Sequence, residues 1–432
     1  MHLPEQYLKR MEFQLGPGRF QDYLLAMQER PRKSLRVNTL KISVESFLRG
    51  RDLRPNGIVP EGFLVPDDYP VGNNPYHAAG LFYMQEASAQ YPASLLNVAP
   101  GETVLDLCAA PGGKSGQLAA AMQNRGVLIA NEISTKRAAV LDSSLERLGV
   151  RNAVITNMRP DRLCPLLPKQ FDAVLVDAPC SGEGMFRKDP QAVADWSEEH
   201  VLSCSERQSA ILNSAAEAVK PGGRLVYSTC TFSEAENEDV VRGFLSGHAD
   251  FRLADMKHLY PFDSTGEGQF AALLIRGDSP SAPSLFRSVP GSDRRTAAPF
   301  YEFLSENRLP LGWSSIRILP DGRVYILPET VPDPQIPMHV IRSGVFAGEI
   351  KNGRFLPSHC LYMSYAPSCF SAAVDLNEAD RIRFLSGETV PCSASLKGFT
   401  AVCCDGYTIG FGKAVGGVMK NHLPKGLRIR KY

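Results

Sequence analysis

The feature that most constrains the fold is a regular alternation of short apolar segments with helical ones between about residues 80 and 277. Helical periodicity is clearest over 134–148 and 198–219. This alternation is typical of βαβ units and predicts a doubly wound α/β fold with a parallel sheet. A further pair of strands within 251–276 predicts an antiparallel edge. The apolar segments that we interpret as parallel strands are 103–107, 126–130, 153–156, 171–176 and 223–227.

The regions on either side of this block have a different character. The first thirty residues indicate two helices separated by Gly-Pro-Gly at 16–18, and an alternating stretch at 34–40 indicates a strand. Near the other end, two β-rich stretches flank Asp405-Gly406, which is a strong hairpin signal. The predicted units are 1–75 (small α+β), 76–277 (α/β block), 278–296 (linker rich in Ser and Pro), 297–375 (mixed) and 376–432 (β-rich).

Composition limits the class of protein. Hydrophobic residues make up 44% and charged residues 22% of 432 residues, and no apolar run approaches the roughly 18 residues that a membrane helix needs. The polar start predicts no secretory signal, so we expect a cytoplasmic protein without a membrane partner. The ten cysteines show no Cys-x-x-Cys pair and no Cys/His zinc spacing. We therefore expect reduced thiols and no metal site.

Charge is concentrated at the two ends of the chain. Residues 1–60 carry eleven Lys/Arg against six Asp/Glu, and residues 411–432 carry six Lys/Arg against none. Basic ends favour a partner that bears phosphates. A solvated surface explains the charge equally well, so charge alone does not decide between the two.

The loop after the first strand of the block, DLCAAPGGK at 106–114, indicates a ligand site. Small residues let a ligand approach the backbone, and the following helix start presents free N–H groups. It is not a phosphate-binding P-loop, because Cys108 stands where that motif needs Gly, and no G-x-G-x-x-G occurs. Glu132, at the end of the second strand, is placed to accept hydrogen bonds from ribose hydroxyls, although alone it would more often be a surface residue. Together they predict a nucleoside cofactor.

Two cysteines directly follow strands of the same block. Cys180 lies in DAPCSG after the fourth strand and Cys230 in STCT after the fifth, so both are expected at the edge that carries the cofactor loop. A thiolate at such a site suits methylation of cytosine carbon 5, because this weak carbon nucleophile becomes reactive only after a thiolate adds to C6. The other eight cysteines are expected to be small buried hydrophobes.

Three longer strings now identify a family. LDLCAAPGGKSGQLA, VDAPCSGEGMFRKDP and VYSTCTFSEAENE resemble the NOL1/NOP2/Sun family of RNA cytosine-C5 methyltransferases, which use S-adenosylmethionine. RVNT at 36–39, YMQEAS at 83–88 and GEG at 266–268 are similar to the same family. The ending GYTIGFGKAVGGVMKNHLPKGLR is similar to a bacterial branch that carries a PUA-like RNA-binding domain. The resemblance implies a Rossmann-like methyltransferase sheet, an N-terminal RNA-recognition domain and a PUA-like end.

The resemblance also implies roles for individual residues. Cys230 matches the nucleophile, Cys180 the second cysteine that helps to release the product, and Asp177 a carboxylate that faces both cytosine and cofactor. In DNA cytosine methyltransferases the cysteine of the Pro-Cys motif attacks instead, which would be Cys180. The implied S-adenosylmethionine site comprises Cys108, Ala109, Ala110, Pro111, Gly112, Gly113, Lys114, Glu132 and Asp177.

One position departs from the family pattern. Relatives often place an Asp after the third strand to hold the adenine end, but this chain has Arg159 there. Asn157, Met158 and Asp161 are the candidates to take its place. Lys188 either reaches a phosphate or the active site or is a solvated side chain, with neither interpretation favoured.

Three functions are compatible with these features. The first is methylation of 16S ribosomal RNA, free or within the small ribosomal subunit, by a monomer. The second keeps the chemistry and changes the substrate to transfer RNA or 23S ribosomal RNA. The third is an inactive RNA-binding assembly factor, which the intact pair Cys180 and Cys230 argues against, because such a factor has no chemical need for two thiols.

Overall fold

The chain begins with a long helix that is kinked at Gly16, where φ is +71°. This confirms the break predicted at Gly-Pro-Gly. The structure, a computed structural model, describes residues 3–280, 282–311 and 315–429. The first elements are α1 (Glu5–Gln28), β1 (Lys33–Val37), α2 (Val44–Leu48), β2 (Arg54–Pro55), β3 (Gly62–Val65), α3 (Pro75–Ala78) and β4 (Phe82–Met84). The four strands form an antiparallel sheet in the order β2-β3-β1-β4.

The central region is the α/β block that the alternation predicted. After a 3₁₀ turn at Ser88–Gln90, its elements are α4 (Tyr91–Leu96), β5 (Thr103–Asp106), α5 (Gly113–Ala121), β6 (Val127–Asn131), α6 (Thr135–Leu148), β7 (Ala153–Thr156), α7 (Pro160–Leu163), β8 (Phe171–Asp177), α8 (Pro190–Asp195), α9 (Glu198–Ala218), β9 (Val219–Thr229), α10 (Glu238–Gly247), β10 (Phe251–Leu259) and β11 (Gln269–Arg276). Further 3₁₀ turns lie at Cys164–Leu166 and Glu183–Met185. Strands β5 to β9 run parallel and are almost wholly buried, while β11 and β10 extend the sheet antiparallel beyond β9. The predicted fold class is therefore confirmed.

The region that follows is less independent than its sequence indicates. Its elements are β12 (Phe286–Arg287), α11 (Ala298–Glu306), β13 (Ser315–Ile318), β14 (Arg323–Leu327), β15 (Val331–Pro332), β16 (Val340–Ser343), β17 (Val345–Lys351), β18 (Arg354–Pro357) and α12 (His359–Ser364). Strands β13, β14, β17 and β18 form a sheet of their own, but β16 pairs antiparallel with β7. The central sheet thus has eight strands in the order β10-β11-β9-β8-β5-β6-β7-β16.

The segment predicted as a linker, 278–296, also packs against the central domain. Within 278–296, β12 pairs with β15, and the Phe286 ring packs edge-on against Phe171 with centroids 5.7 Å apart. A single aromatic residue in a polar segment gives no periodic signal, which is why its burial was not anticipated. The linker therefore also covers the core of the central sheet.

The last region is the predicted β-rich end. A 3₁₀ turn at Pro367–Cys369 leads to β19 (Ala373–Asp375), α13 (Glu378–Leu385), β20 (Val390–Pro391), β21 (Gly398–Cys404), β22 (Tyr407–Val415) and β23 (Val418–Asn421), and a 3₁₀ turn follows at Lys425–Leu427. Asp405 and Gly406 both have positive φ between β21 and β22, which confirms the predicted hairpin. Arg430 and Lys431 of the basic tail lie outside the described residues.

Both ends of the chain pack onto the rest of the molecule. On α1, Tyr7 and Tyr23 share a buried cluster with Trp196 and Phe232 of the central region. A second cluster joins the first sheet to the last one, with Phe82 on one side and Phe384 on the other. Within the described residues, no helix has the length and hydropathy needed to cross a membrane.

Candidate active site

A cavity of about 580 Å³ opens at the carboxyl edge of the central sheet, where the sequence placed the cofactor. Cys108, Ala110, Glu132, Asp177, Cys180 and Cys230 line it, so six of the predicted site residues meet there. Ala109, Pro111, Gly112, Gly113 and Lys114 do not line it. Helix α9 adds lining residues that the sequence did not indicate: Arg207, Ala210, Ile211 and Ser214.

Packing explains the glycines of the cofactor loop. Gly112 has a φ of +107°, which favours glycine. A Cβ atom on Gly113 would lie 2.9 Å from Cε1 of Tyr83, on a strand of the N-terminal sheet. We predicted that small residues there admit a ligand, and Gly113 also admits the neighbouring domain.

The strings RVNT and YMQEAS form the contact between these two domains. The Arg36 guanidinium donates to the Gly113 carbonyl and to Oε1 of Gln85, both at 2.8 Å, and to Oε1 of Gln117 at 3.0 Å. The Asn38 amide donates to the carbonyls of Gly80 and Leu148, both at 2.8 Å. Both strings therefore fix the start of α5 behind the cofactor loop.

Glu132 is almost fully buried and is held from two sides. Its Oε1 accepts from the Ser134 N–H at 2.8 Å, and its Oε2 lies 3.4 Å from NH1 of Arg137. Arg137 also donates to the Ala110 carbonyl at 2.8 Å. Arg137 thus joins the cofactor loop to Glu132, a role that the sequence did not indicate.

Asp177 is the centre of a polar group beneath the cavity. Its Oδ2 accepts from Nζ of Lys114 at 2.7 Å, and its Oδ1 accepts from Oγ of Ser228 at 2.7 Å and from Nε2 of Gln269 at 3.3 Å. Burial acts to lower the pKa of Lys114, but the Asp177 carboxylate outweighs it and the pKa is raised. Lys114 is therefore a cation at neutral pH, and it lies within electrostatic range of Cys230.

The two predicted catalytic cysteines touch each other. Their Sγ atoms are 3.2 Å apart, and both are free thiols. The contact with Cys230, followed by burial, raises the pKa of Cys180 well above its usual value. Cys180 is therefore a protonated thiol at neutral pH, able to donate a hydrogen bond to the sulphur of Cys230.

Hydrogen bonds hold the segments that carry the two thiols, 178–183 and 230–236, which we call the two-thiol corner. Ser181 and Thr231 follow the two cysteines, and their hydroxyl oxygens are 2.9 Å apart. Glu236 accepts from the Ser181 N–H at 2.9 Å and from the Ser181 hydroxyl. On α9, the Gln208 amide donates to Glu236 at 2.8 Å and to the Pro179 carbonyl at 3.0 Å. The motif strings contain Glu236 without indicating this role, and nothing in the helix marks Gln208.

The cavity fits the cofactor that the resemblance implies. Glu132 suits ribose hydroxyls, and Asp177 suits a positively charged ligand group. Oδ1 of Asp106 is buried without a hydrogen-bond partner among the described residues, and burial raises the pKa of Asp106 to about 7. An acceptor left open beside the cofactor loop is expected of a site shaped for a polar ligand.

The remaining candidates separate into two groups. Arg159 and Asp161 line the cavity. They form a bidentate ion pair, in which Nε and NH2 of Arg159 donate to Oδ1 and Oδ2 of Asp161 at 2.9 and 3.0 Å. Asn157 and Met158 do not line it. Lys188 lies 3.8 Å from Glu267, which Arg187 binds at 2.7 Å, so Lys188 belongs to a buried ion-pair group outside the cavity.

Four family models match successive parts of the chain. They describe the N-terminal domain of 16S rRNA methyltransferase RsmF (residues 3–87), 16S rRNA methyltransferase RsmB/F (93–282), the first C-terminal domain of the RsmF rRNA methyltransferase (302–364) and the RsmF PUA domain (371–429).

Curated relatives match over nearly their whole length. Ribosomal RNA small subunit methyltransferase F of Vibrio vulnificus (strain YJ016) is 35% identical, covering 99% of this chain and 98% of the relative. The protein of the same name from Aliivibrio fischeri (strain MJ11) is 33% identical, covering 98% and 97%.

Solved structures match about two thirds of the chain. A methyltransferase homologue from Pyrococcus horikoshii has a TM-score of 0.55 and 29% identity, covering 63% of this chain and 100% of that one. NSun6 from Pyrococcus horikoshii with SFG has a TM-score of 0.56 and 21% identity, covering 64% and 99%, and at this identity shows the fold alone.

Proposed function

The chain belongs to the ribosomal RNA small subunit methyltransferase F family, and on that premise we propose that it methylates carbon 5 of a cytosine in 16S ribosomal RNA, with Cys230 as the nucleophile. It is an S-adenosylmethionine-dependent methyltransferase that acts on ribosomal RNA of the small subunit, which confirms the resemblance found in the motifs. The position methylated and the covalent route are the proposal.

One observation carries the proposal: two thiols 3.2 Å apart line the cofactor cavity together with Asp177. Methyl transfer to a nitrogen or a ribose oxygen uses a lone pair of the acceptor and needs no thiol. Carbon 5 of cytosine has no such lone pair, so a nucleophile must first add to the ring. Thiols in this position therefore favour C5 over the other methylation sites of RNA.

The chemistry balances with the groups present. The Cys230 thiolate adds to C6, a C–S bond forms, and the electrons of the C5–C6 double bond make C5 nucleophilic. S-adenosylmethionine, when bound, supplies a methyl group on a positively charged sulphur. After C5 has gained the methyl group, its proton passes to solvent water acting as the base, the C5–C6 double bond re-forms, and the C6–S bond breaks to return the Cys230 thiolate.

The surroundings of each group support its role. Lys114 is a cation within electrostatic range of Cys230, and Cys180 is a protonated thiol in contact with it, so both can stabilise negative charge that develops on the Cys230 sulphur. The Asp177 carboxylate suits the exocyclic amine of cytosine, which donates hydrogen bonds. Cys180, beside the C–S bond to be broken, is placed to assist release. Glu132, Asp177 and the loop from Cys108 to Lys114 are the proposed cofactor residues.

The alternatives differ in what supports them. Methylation of transfer RNA or 23S ribosomal RNA uses the same chemistry, and the names of the curated relatives favour 16S ribosomal RNA. An inactive assembly factor would have no need for the hydrogen bonds that Glu236 accepts and Gln208 donates to hold the Cys180 segment.

Bisulfite sequencing of RNA from a strain that lacks the gene tests the proposal. We expect one or more 16S cytosines to lose protection, to regain it with the wild-type gene, and to stay unprotected with Cys230→Ser. Protection that disappears from transfer RNA or 23S ribosomal RNA instead would support the second function. Unchanged protection in every RNA would contradict the proposed chemistry.

A further inference from the structure

Two short segments form one side of the cofactor cavity. They are residues 131–133, at the end of β6, and residues 159–161, at the start of α7, and we call them together the cofactor wall. Asn131 joins the two, because its amide donates to the Met158 carbonyl at 2.9 Å and its Oδ1 accepts from the Met158 N–H at 3.1 Å. These two bonds tie the end of β6 to the segment that leads into α7.

Asn157 lies behind this wall and does not line the cavity. Its amide donates to the carbonyls of Glu132 at 2.6 Å and Ile133 at 2.9 Å, and its Oδ1 accepts from the hydroxyl of Thr135 at 3.0 Å. These bonds fix the backbone of the residue proposed to bind the ribose. Because Asn157 acts through Glu132, it is a positioning residue.

The backbone of Asn157 is held in turn by the region that follows the central domain. Its N–H donates to the His339 carbonyl at 3.1 Å, immediately before β16. The His339 N–H contacts Sδ of Met158 at 3.4 Å. At the other end of the β16–β7 pairing, the Gly344 N–H donates to the Ala153 carbonyl at 2.8 Å. A strand outside the central domain thus completes the sheet at the wall.

An ion pair and a side-chain hydrogen bond attach the same region to α6, which follows the first of the two wall segments. Arg342 of β16 binds Asp142, and Nδ1 of His359 in α12 lies 2.6 Å from Oε1 of Glu146. The first turn of α6 carries Arg137, the residue that joins Glu132 to the cofactor loop. The wall is therefore supported both at its strand end and through the following helix.

We propose that the region containing β16 is part of the cofactor-binding apparatus, and that Asn157 transmits its support to Glu132. The proposal goes beyond the methylation chemistry and does not depend on which cysteine attacks. Because coupling between two sites is reciprocal, cofactor binding must also stabilise the pairing of β16 with β7.

The affinity of Asn157→Ala for S-adenosylmethionine, measured by calorimetry on the full chain, is the first test. Loss of the two bonds to the wall should weaken binding about tenfold, which corresponds to about 1.4 kcal/mol. The KM for S-adenosylmethionine should rise with kcat nearly unchanged. A cofactor affinity within twofold of wild type would overturn the proposal.

Asn421→Ala is a matched control. The Asn421 amide also donates to two carbonyls, those of Phe384 at 2.7 Å and Glu388 at 2.9 Å, but in the last domain. It should lower the melting temperature to a similar degree and leave cofactor affinity unchanged. An equal loss of affinity in both variants would show general destabilisation and contradict a role specific to the wall.

Hydrogen exchange on the wild-type chain is the second test and needs no substitution. Addition of S-adenosylhomocysteine should slow exchange in a peptide that covers 339–344, and should leave β22 unchanged. No added protection over 339–344 at saturating ligand would overturn the proposal. Loss of methylation in Cys230 variants would not affect this measurement, so the two proposals fail independently.

Discussion

The two-thiol corner and the cofactor wall border the same cavity but are built in different ways. In the corner, the bonds nearest the thiols join Ser181, Thr231 and Glu236 within the two motif strings. Gln208 of α9 and Arg10 and Gln14 of α1 also bond these segments. Behind the wall, the backbone of Asn157 is hydrogen-bonded to His339, which is 182 residues away in sequence. The bonds nearest the thiols therefore come mostly from local motifs, whereas the shape of the cofactor site depends on the pairing of a distant strand.

The comparison predicts two kinds of defect. Changes in the corner should alter turnover and leave cofactor affinity intact, and changes behind the wall should do the reverse. Asn157→Ala alters the wall. Glu236 lies in the corner, and Lys420 and Lys41 lie at more distant contacts.

The largest expected effect is the loss of turnover in Glu236→Gln. Three donors converge on the Glu236 carboxylate, from the Ser181 N–H, the Ser181 hydroxyl and the Gln208 amide, and a glutamine amide would face them with donors of its own. Displacement of the Cys180 segment should lower kcat about a hundredfold. Single-turnover assays and calorimetry check that cofactor affinity stays within twofold.

Glu234→Gln is the matched control, because Glu234 lies two residues earlier in the same string and is exposed. It should leave both turnover and affinity unchanged. A loss of cofactor affinity in Glu236→Gln equal to its loss of turnover would contradict the separation of corner and wall.

The last sheet offers a smaller effect, on RNA binding. Lys413 and Lys420 lie opposite each other on β22 and β23, both exposed, and Lys413 also covers the Phe399 ring at 5.2 Å. Like charges directly opposite one another destabilise a sheet, so the pair is best explained by a phosphate partner. Lys420→Gln should weaken RNA binding several-fold with a shallower salt dependence, and raise the melting temperature slightly.

Filter binding at two salt concentrations checks this prediction, with Arg252→Gln on the exposed edge strand β10 as the charge control. Unchanged affinity and slope in Lys420→Gln would contradict an RNA-binding face there. Point changes are preferable to removal of 391–432, because that segment includes Met419, which shares a core with Phe82 of the first domain.

The smallest effect concerns the far end of α6. Lys41 donates to the carbonyls of Ala79 and Arg147 at 2.7 and 2.8 Å, where the first domain meets this helix. Burial and then the nearby Arg147 lower the pKa of Lys41 to about 7, from an ordinary 10.5. At a pH between these two pKa values, Lys41 is protonated in the unfolded chain and deprotonated in the native chain. The free energy of unfolding should therefore rise with pH over this range.

Lys41→Met should make that rise shallower. Urea unfolding at about pH 7 and about pH 9 measures it, over the window that the pKa shift defines. Lys136→Met, at an exposed position on the same helix, should keep the wild-type slope. An unchanged slope in Lys41→Met would show that the junction at this end of α6 does not bury the ammonium.

Local patterns predicted much of the fold and of the site. The apolar stretch 153–156 is a strand with the same limits, and the strand ends bring Cys180 and Cys230 together. Both succeed because side-chain periodicity and strand direction are properties of contiguous sequence. The domain limits and the individual site roles drawn from the sequence remain predictions.

What the sequence did not reveal depends on long-range contacts. Strand β16 has four residues and no alternation, so nothing marks it as a partner of β7. The sequence indicates ligand approach at Gly113, but it gives no sign that Tyr83 of another domain also restricts this position. Gln208 is one polar residue among several on α9, and only the fold places it against Glu236.

The most direct test of the account is a denaturing gel of the wild type, Cys180→Ala and Cys230→Ala after incubation with 16S ribosomal RNA and S-adenosylmethionine. If Cys230 attacks C6 and Cys180 assists release, Cys180→Ala should accumulate a slow-migrating covalent complex, and Cys230→Ala should form none while still binding RNA. A covalent complex in Cys230→Ala together with none in Cys180→Ala would contradict the account and assign the attack to Cys180.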